Sequence, residues 1–212
     1  MIDFKGGLYM KFIKKFMAPF LCVSLTINSV SVCYSLEKCD SNKIWNERYK
    51  IENLIKQDLP FDVYFTFVTQ EEIGLRGAKV AAFSVDPDIA IVVEATTAAD
   101  VKGVSAEKQV CKIGHGAVIA FMDKSTIYDR ELYELALKLA KENGIKIQIK
   151  SLVAGGNDSG AIHATRGGVK TIAVSLPCRY LHTACSMICA DDIWETQKLV
   201  QKLAEKICEK EI

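Results

Sequence analysis

Glu71 and Glu72 stand side by side just after Val63–Val68, an aromatic and β-branched run that reads as a buried strand. Like charges held this close raise one another's pKa unless a cation sits between them. A metal-activated water beside a free carboxylate would use both groups: one Glu ligates and the other takes the water's proton. On the pair alone, a solvated strand end with two surface acids is the better reading. Two further residues shift the balance. Glu94 closes Ile89–Val93, an all-apolar run expected to be buried on both faces, and an acid there needs a partner. The chain offers no basic residue after Glu94 until Lys102. His182 follows the apolar run Thr171–Leu176 by a short loop; by itself it reads as a surface histidine. Carboxylates and an imidazole after three strands suit zinc, cobalt or manganese in the crevice at the carboxyl ends of an open α/β sheet.

Other polar groups carry a weaker signal. Gly156, Asp158 and His163 belong to or flank the Gly-rich stretch Ala154-Gly-Gly-Asn-Asp-Ser-Gly160 and are the candidate substrate-binding residues. Such a loop is more often only a turn, and His163 beside it suits a core role. No Lys-Ser/Thr follows Gly155-Gly156, so a phosphate loop is unsupported. His115, between Gly114 and Gly116, is expected to be exposed. Cys178 and Cys185 near His182 lack a Cys/His nucleophile signature.

The elements that would position these groups alternate strand and helix, which means an α/β domain with a largely parallel core. Strands are expected at Val63–Val68, Ile89–Val93, Val118–Met122, Ile145–Ile149 and Thr171–Leu176, the last stopped by Pro177. Asp129 should cap a helix that ends at Gly144, Ala161–Arg166 a short one, and Asp191 or Asp192 should cap the last. Residues 1–35 form an apolar N-terminal stretch. Met10 to Ile27 has the basic-then-apolar order of a secretory signal; Pro19 and several polar residues make it too broken for a transmembrane helix, and a pair of strands of the main domain, or a scrambled remnant of one, is the favoured reading. Residues 36–212 are expected to form one domain.

The 212 residues suffice for one sizeable core. A formal net charge of +1 gives no support for a nucleic-acid partner. The 8 cysteines include no Cys-x-x-Cys pair, which argues against a zinc ribbon and fits reduced thiols in a cytoplasmic protein.

Four ordered segments carry a family resemblance: residues 68–78 (Val-Thr-Gln-Glu-Glu-Ile-Gly-Leu-Arg-Gly-Ala), 87–94 (Pro-Asp-Ile-Ala-Ile-Val-Val-Glu), 155–163 (Gly-Gly-Asn-Asp-Ser-Gly-Ala-Ile-His) and 176–182 (Leu-Pro-Cys-Arg-Tyr-Leu-His). Together, over roughly residues 58 to 207, they resemble the glutamyl and deblocking aminopeptidases, cytosolic dinuclear metallo-aminopeptidases. The resemblance implies a three-layer α/β/α fold with a mainly parallel sheet, peptide substrates, large homo-oligomers and two divalent ions per subunit. It implies that Glu71 is the general base, that Glu72 and His182 ligate one metal, and that Glu94 ligates the other, where the family usually has Asp. The bridging Asp of the family best matches Asp40, although Asn42 replaces the expected Arg; Asn46-Glu47-Arg48 is a rival stretch. The family's first ligand is an early His, and no histidine precedes His115 here. There is also no room for the family's β-rich lid domain. The chain therefore reads as the C-terminal part of such an enzyme, holding one ion rather than two. The competing reading is a non-catalytic subunit that only folds or oligomerises.

Overall fold

The apolar runs pack side by side into one six-stranded sheet, order β2-β1-β3-β6-β4-β5. The strands are β1 (Phe20–Thr26), β2 (Asp62–Val68), β3 (Ile89–Thr97), β4 (Ala117–Ile119), β5 (Ile147–Ile149) and β6 (Lys170–Cys178). This computed structural model describes residues 20–26, by their backbone, and 62–209. The pairs β2–β1, β1–β3 and β3–β6 are parallel, as is β4–β5; only β4 against β6 is antiparallel. β1 comes from the stretch that combines signal-like and strand-like features. It is a central strand, with Thr26 opposite Val68 and Leu25 opposite Val93.

Period-two alternation divides the sheet residues between two faces. Ile89, Ile91, Ile172 and Val174 pack with α2 (Arg130–Glu142) and α4 (Ala190–Glu209) through Leu132, Leu139, Leu199 and Leu203. Ala90, Val92 and Ala173 pack on the other face with Ala78, Ala81 and Ala82 of α1 (Arg76–Val85) and Ile162 of α3 (Ser159–Ile162). The result is the three-layer α/β/α arrangement with a mixed, mostly parallel sheet. The Asp129 cap is present, its carboxylate accepting from Leu132 N at 3.0 Å. Gly144 follows α2 with a left-handed φ of 63°. No helix among the described residues is long and apolar enough to cross a membrane. Cys111, Cys178, Cys185, Cys189 and Cys208 are free thiols.

Several boundaries differ from the sequence reading. Pro177 does not stop β6; it lies within the strand, opposite Thr96. The β4 ladder reaches only to Ser175, so the proline sits where one flank of the strand has no partner to lose. β4 ends at Ile119, before Met122, because Asp123 Oδ1 collects the N–H groups of Ser125 and Thr126 and turns the chain back. Ile145 lies outside β5, its N–H closing α2 on Ala140 O at 2.9 Å. The short helix is Ser159–Ile162 rather than 161–166. Asp191 and Asp192 lie inside the first turn of α4 instead of capping it. Asp192 is buried and accepts from Gly114 N at 2.6 Å and Gly116 N at 2.7 Å, tying that loop to the helix.

Candidate functional site

The parallel strands β2, β1, β3 and β6 end at one edge of the sheet, where the candidate residues gather. After β2 the chain makes a tight turn. Gln70 takes a left-handed φ of 63° and Leu75 one of 55°. Leu75 N donates to Glu71 O at 2.9 Å, Arg76 N to Gln70 O at 3.2 Å and Gly77 N to Thr69 O at 3.0 Å. These bonds fold the turn back on itself and leave the Glu71 and Glu72 side chains at its head. Gly77 is required there, since a Cβ would lie 2.4 Å from Thr69 O and 2.6 Å from Thr69 N. Non-glycine residues with positive φ cost roughly 1–3 kcal/mol and cluster at functional sites.

The loop after β6 is equally constrained. Arg179 and Met187 exchange backbone hydrogen bonds at 2.9 and 3.0 Å and close its base. Tyr180 and His182 both have positive φ, 59° and 63°. Arg179 donates in a bidentate pair to Asp100, Nε to Oδ1 and Nη2 to Oδ2, each at 2.7 Å. Ile113 N also donates to Asp100 Oδ2, at 3.1 Å. The guanidinium bonds, ahead of an opposing burial effect, hold the Asp100 carboxyl below the usual aspartate range. The loop is thus anchored to the chain just beyond β3.

From these two loops Glu72 and His182 meet. His182 Nδ1 lies 3.1 Å from Glu72 Oε1, with both side chains substantially open to solvent. Glu94, expected just past its strand, lies within β3, on the face that carries Ala90 and Val92. Its carboxyl is pushed well above the usual glutamate range, first by burial, then by the neighbouring Glu71 and Asp123 charges. A hydrogen bond from Asn157 and the Lys150 ammonium oppose that rise. Lys150 Nζ itself donates to Ala154 O at 2.6 Å. The partner that the apolar strand withheld from Glu94 therefore comes from the Gly-rich loop and its approach.

The remaining candidates divide. Asp158 is fully buried at the start of α3. Gly156 is exposed and backs onto Ser125, whose Oγ would lie 2.6 Å from an added Cβ. His163 is half-buried and its Nδ1 lies 2.7 Å from Ser159 O on its own helix. His115 is exposed, as expected. Asp40 lies outside the described residues, as does the rival stretch at 46–48. Among the described residues, no group of three or more His, Cys, Asp or Glu is gathered so that it could hold a metal ion.

The sequence reading missed Asp123, Tyr128 and Asn157, a buried polar cluster beneath Glu94. Tyr128 OH donates to Asp123 Oδ2 at 2.5 Å, and Asn157 Nδ2 donates to Tyr128 OH at 2.9 Å. Burial, with the Asp123 carboxylate next, pushes the Tyr128 phenol far above its usual range. The available signal was Asp123 in a Met-Asp-Lys-Ser-Thr turn sequence and a tyrosine between two apolar runs.

A sequence profile of the M42 glutamyl aminopeptidases matches residues 48–199. A putative aminopeptidase of Acetivibrio thermocellus is 43% identical over 147 residues, 69% of this chain and 43% of that protein. An aminopeptidase from the archaeon Desulfurococcus kamchatkensis superposes with a TM-score of 0.69 at 27% identity, over 74% of this chain and 45% of that one. The Pyrococcus horikoshii TET1 peptidase, which can assemble into a tetrahedron or a large octahedral shell, superposes with a TM-score of 0.61 at 34% identity, over 74% and 44%. The chain spans less than half the length of the curated relatives it matches. With the profile covering most of the chain, and with strands, turns and acids in the order the resemblance requires, this chain belongs to the M42 glutamyl aminopeptidase family.

Proposed function

We propose that the chain is a metal-dependent aminopeptidase subunit that removes the N-terminal residue of peptides, with Glu71 as general base. The observation that carries this reading is the 3.1 Å approach of His182 to Glu72 beside Glu71. The donor chemistry fits a divalent ion such as zinc, cobalt or manganese: an anionic oxygen and an imidazole nitrogen stand 3.1 Å apart, both open to solvent. Glu72 and His182 would supply two ligands, with Asp40 as the candidate third, and Glu94 would serve a second, weaker position. A bound ion would supply Lewis acidity toward water and the scissile carbonyl. Glu71 takes a proton from the attacking water and returns it to the leaving amine. Its turn is braced by hydrogen bonds to the Thr69, Gln70 and Glu71 carbonyls, which fix the backbone that carries it. Gly156 and the half-buried His163 are the candidates for the substrate side of the crevice, whereas Asp158 is buried away from it, and self-association is expected from the family.

A second reading, a non-catalytic subunit, is favoured by one observation: the described residues do not complete a metal-ligand group. A panel of aminoacyl-anilides with added Zn²⁺, Co²⁺ or Mn²⁺ separates the two. Metal-dependent release of the anilide supports the enzyme; inactivity with every residue and every metal supports the subunit.

A further inference from the structure

Arg179 stands at the base of the His182 loop and is held from two sides. Its backbone exchanges hydrogen bonds with Met187, at 2.9 and 3.0 Å, and its guanidinium forks onto Asp100 through two bonds of 2.7 Å. Asp100 is itself fixed. Ala99 takes a left-handed φ of 58° and bends the chain beyond β3. Ala98 N donates to Cys178 O at 2.8 Å and Cys111 N to Ala98 O at 3.2 Å, so the chain entering Asp100 is tied on both sides. Ile113 N then donates to Asp100 Oδ2 at 3.1 Å. Beyond Arg179, Thr183 closes a turn over His182: its N–H donates to Tyr180 O at 3.2 Å and its hydroxyl to the same oxygen at 2.7 Å. Tyr180 and His182 hold positive φ within that turn, a conformation that persists only where the surroundings enforce it. The His182 side chain is 62% exposed, so packing around the imidazole does not set its position. The Asp100 side chain is only 9% exposed. The fixed point of the loop is therefore the buried carboxylate.

We propose that Asp100 is a positioning residue: through Arg179 it fixes the loop so that His182 meets Glu72. The inference rests on the metal reading above only for what the His182–Glu72 pair does. An asparagine at 100 keeps the shape of the side chain but loses its charge and one of the two acceptors that the fork needs. A lysine at 179 keeps the charge and loses the planar fork. Asp100 acts on His182 through Arg179 and the turn that follows it, so any effect of Asp100→Asn on the imidazole must travel through the loop. Groups that orient metal ligands from behind typically change affinity by about 10–100-fold when removed.

Two measurements on the full chain test this, each on the unmodified protein, Asp100→Asn and Asp129→Ala. The last variant removes the α2 cap and so loosens the fold away from the loop. The first measurement is metal-free amide exchange followed by NMR. Asp100→Asn should speed exchange of the Thr183 and Met187 amides by about tenfold or more relative to amides inside α2, the scale of a charge-assisted hydrogen bond. Asp129→Ala should give no such relative gain. Loop amides that only keep pace with α2 in Asp100→Asn, or that gain equally in both variants, overturn the proposal. The second is a Co²⁺ titration followed by visible absorption. Asp100→Asn should weaken binding about 10–100-fold, while Asp129→Ala leaves it unchanged. Equal weakening in both variants, or none in Asp100→Asn, overturns the positioning of His182. If the unmodified chain takes up no Co²⁺, the metal reading fails, and amide exchange alone decides whether Asp100 fixes the loop. Where Asp100→Asn does not fold, Arg179→Lys gives the same readings.

Discussion

His182 Nδ1 lies 3.1 Å from Glu72 Oε1 although the two residues leave the sheet from strands that do not touch. Glu72 follows β2 and His182 follows β6, with β1 and β3 between them. Three strand spacings amount to about 14 Å. Both loops must therefore lean across the ends of β1 and β3 to meet, and the left-handed residues Gln70, Tyr180 and His182 are where they bend.

This meeting point sets the expected metal content. Elemental analysis after dialysis should find nearer one divalent ion per chain than two, and His182→Ala should lower that occupancy sharply. The loss of a single ligand weakens a site by orders of magnitude on the scale of structural metal affinities. Two tightly held ions in the dialysed protein would show that Glu94 commands a complete site of its own.

The Asp100–Arg179 pair should hold the His182 loop against acid. Its side chains are 9% and 28% exposed, so solvent screens it only in part. Asp100→Asn should cost about 2 kcal/mol at neutral pH, the scale of a charge-assisted hydrogen bond. The Asp100 pKa is lowered in the fold, so its contribution is present above the ordinary aspartate value of 3.8 and is lost as pH falls through the folded value. Denaturant curves of the two proteins should diverge at neutral pH and converge in strong acid. A constant gap down to the lowest pH would mean the pair acts through packing and not through charge.

Glu94 should show the opposite sign in metal-free protein. Its folded pKa is raised by burial above the ordinary 4.5. As pH climbs past that ordinary value, the unfolded chain loses the proton first and the folded state loses stability, until the folded pKa is passed. Glu94→Gln removes the titration, so its stability advantage over the unmodified chain should grow between mildly acidic and neutral pH. If the advantage shrinks as pH rises, the carboxylate is stabilised in the crevice by more than Asn157 and Lys150.

Gly77→Ala should destabilise the head of α1 together with the turn. The added Cβ would press on the backbone of Thr69, which cannot rotate away. Overpacking of this kind costs about 1–3 kcal/mol. Thermal unfolding should report a lower Tm; an unchanged Tm would show that the turn holding Glu71 yields freely.

Much of this was legible in the sequence where a single element carried the signal. The run Val63–Val68, the glutamates after it and the all-apolar Ile89–Val93 were readable because β-branched and aromatic residues leave few alternatives to a buried strand. That Glu94 needed a partner was legible; the identity of the partner was not. Asn157 sits in a Gly-rich loop that reads as a turn, and its contacts with Asp123 and Tyr128 exist only once that loop folds over β3. β1 was ambiguous for a different reason: a strand paired on both sides is mostly apolar, and so is the core of a signal sequence, while Ser24 and Thr26 fit either. Pro177 misled because the rule against proline in strands depends on which flank is paired, information that only the sheet order contains.

If Glu71 moves the proton while Glu72 and His182 hold the ion, Glu71→Gln separates the two roles. In the metal-loaded protein, turnover of the best aminoacyl-anilide and bound metal should be measured on the same sample. Metal content should equal that of the unmodified chain, and turnover should be lower by about 100-fold or more, the usual scale for a general base. Undiminished hydrolysis by Glu71→Gln would contradict that assignment of roles.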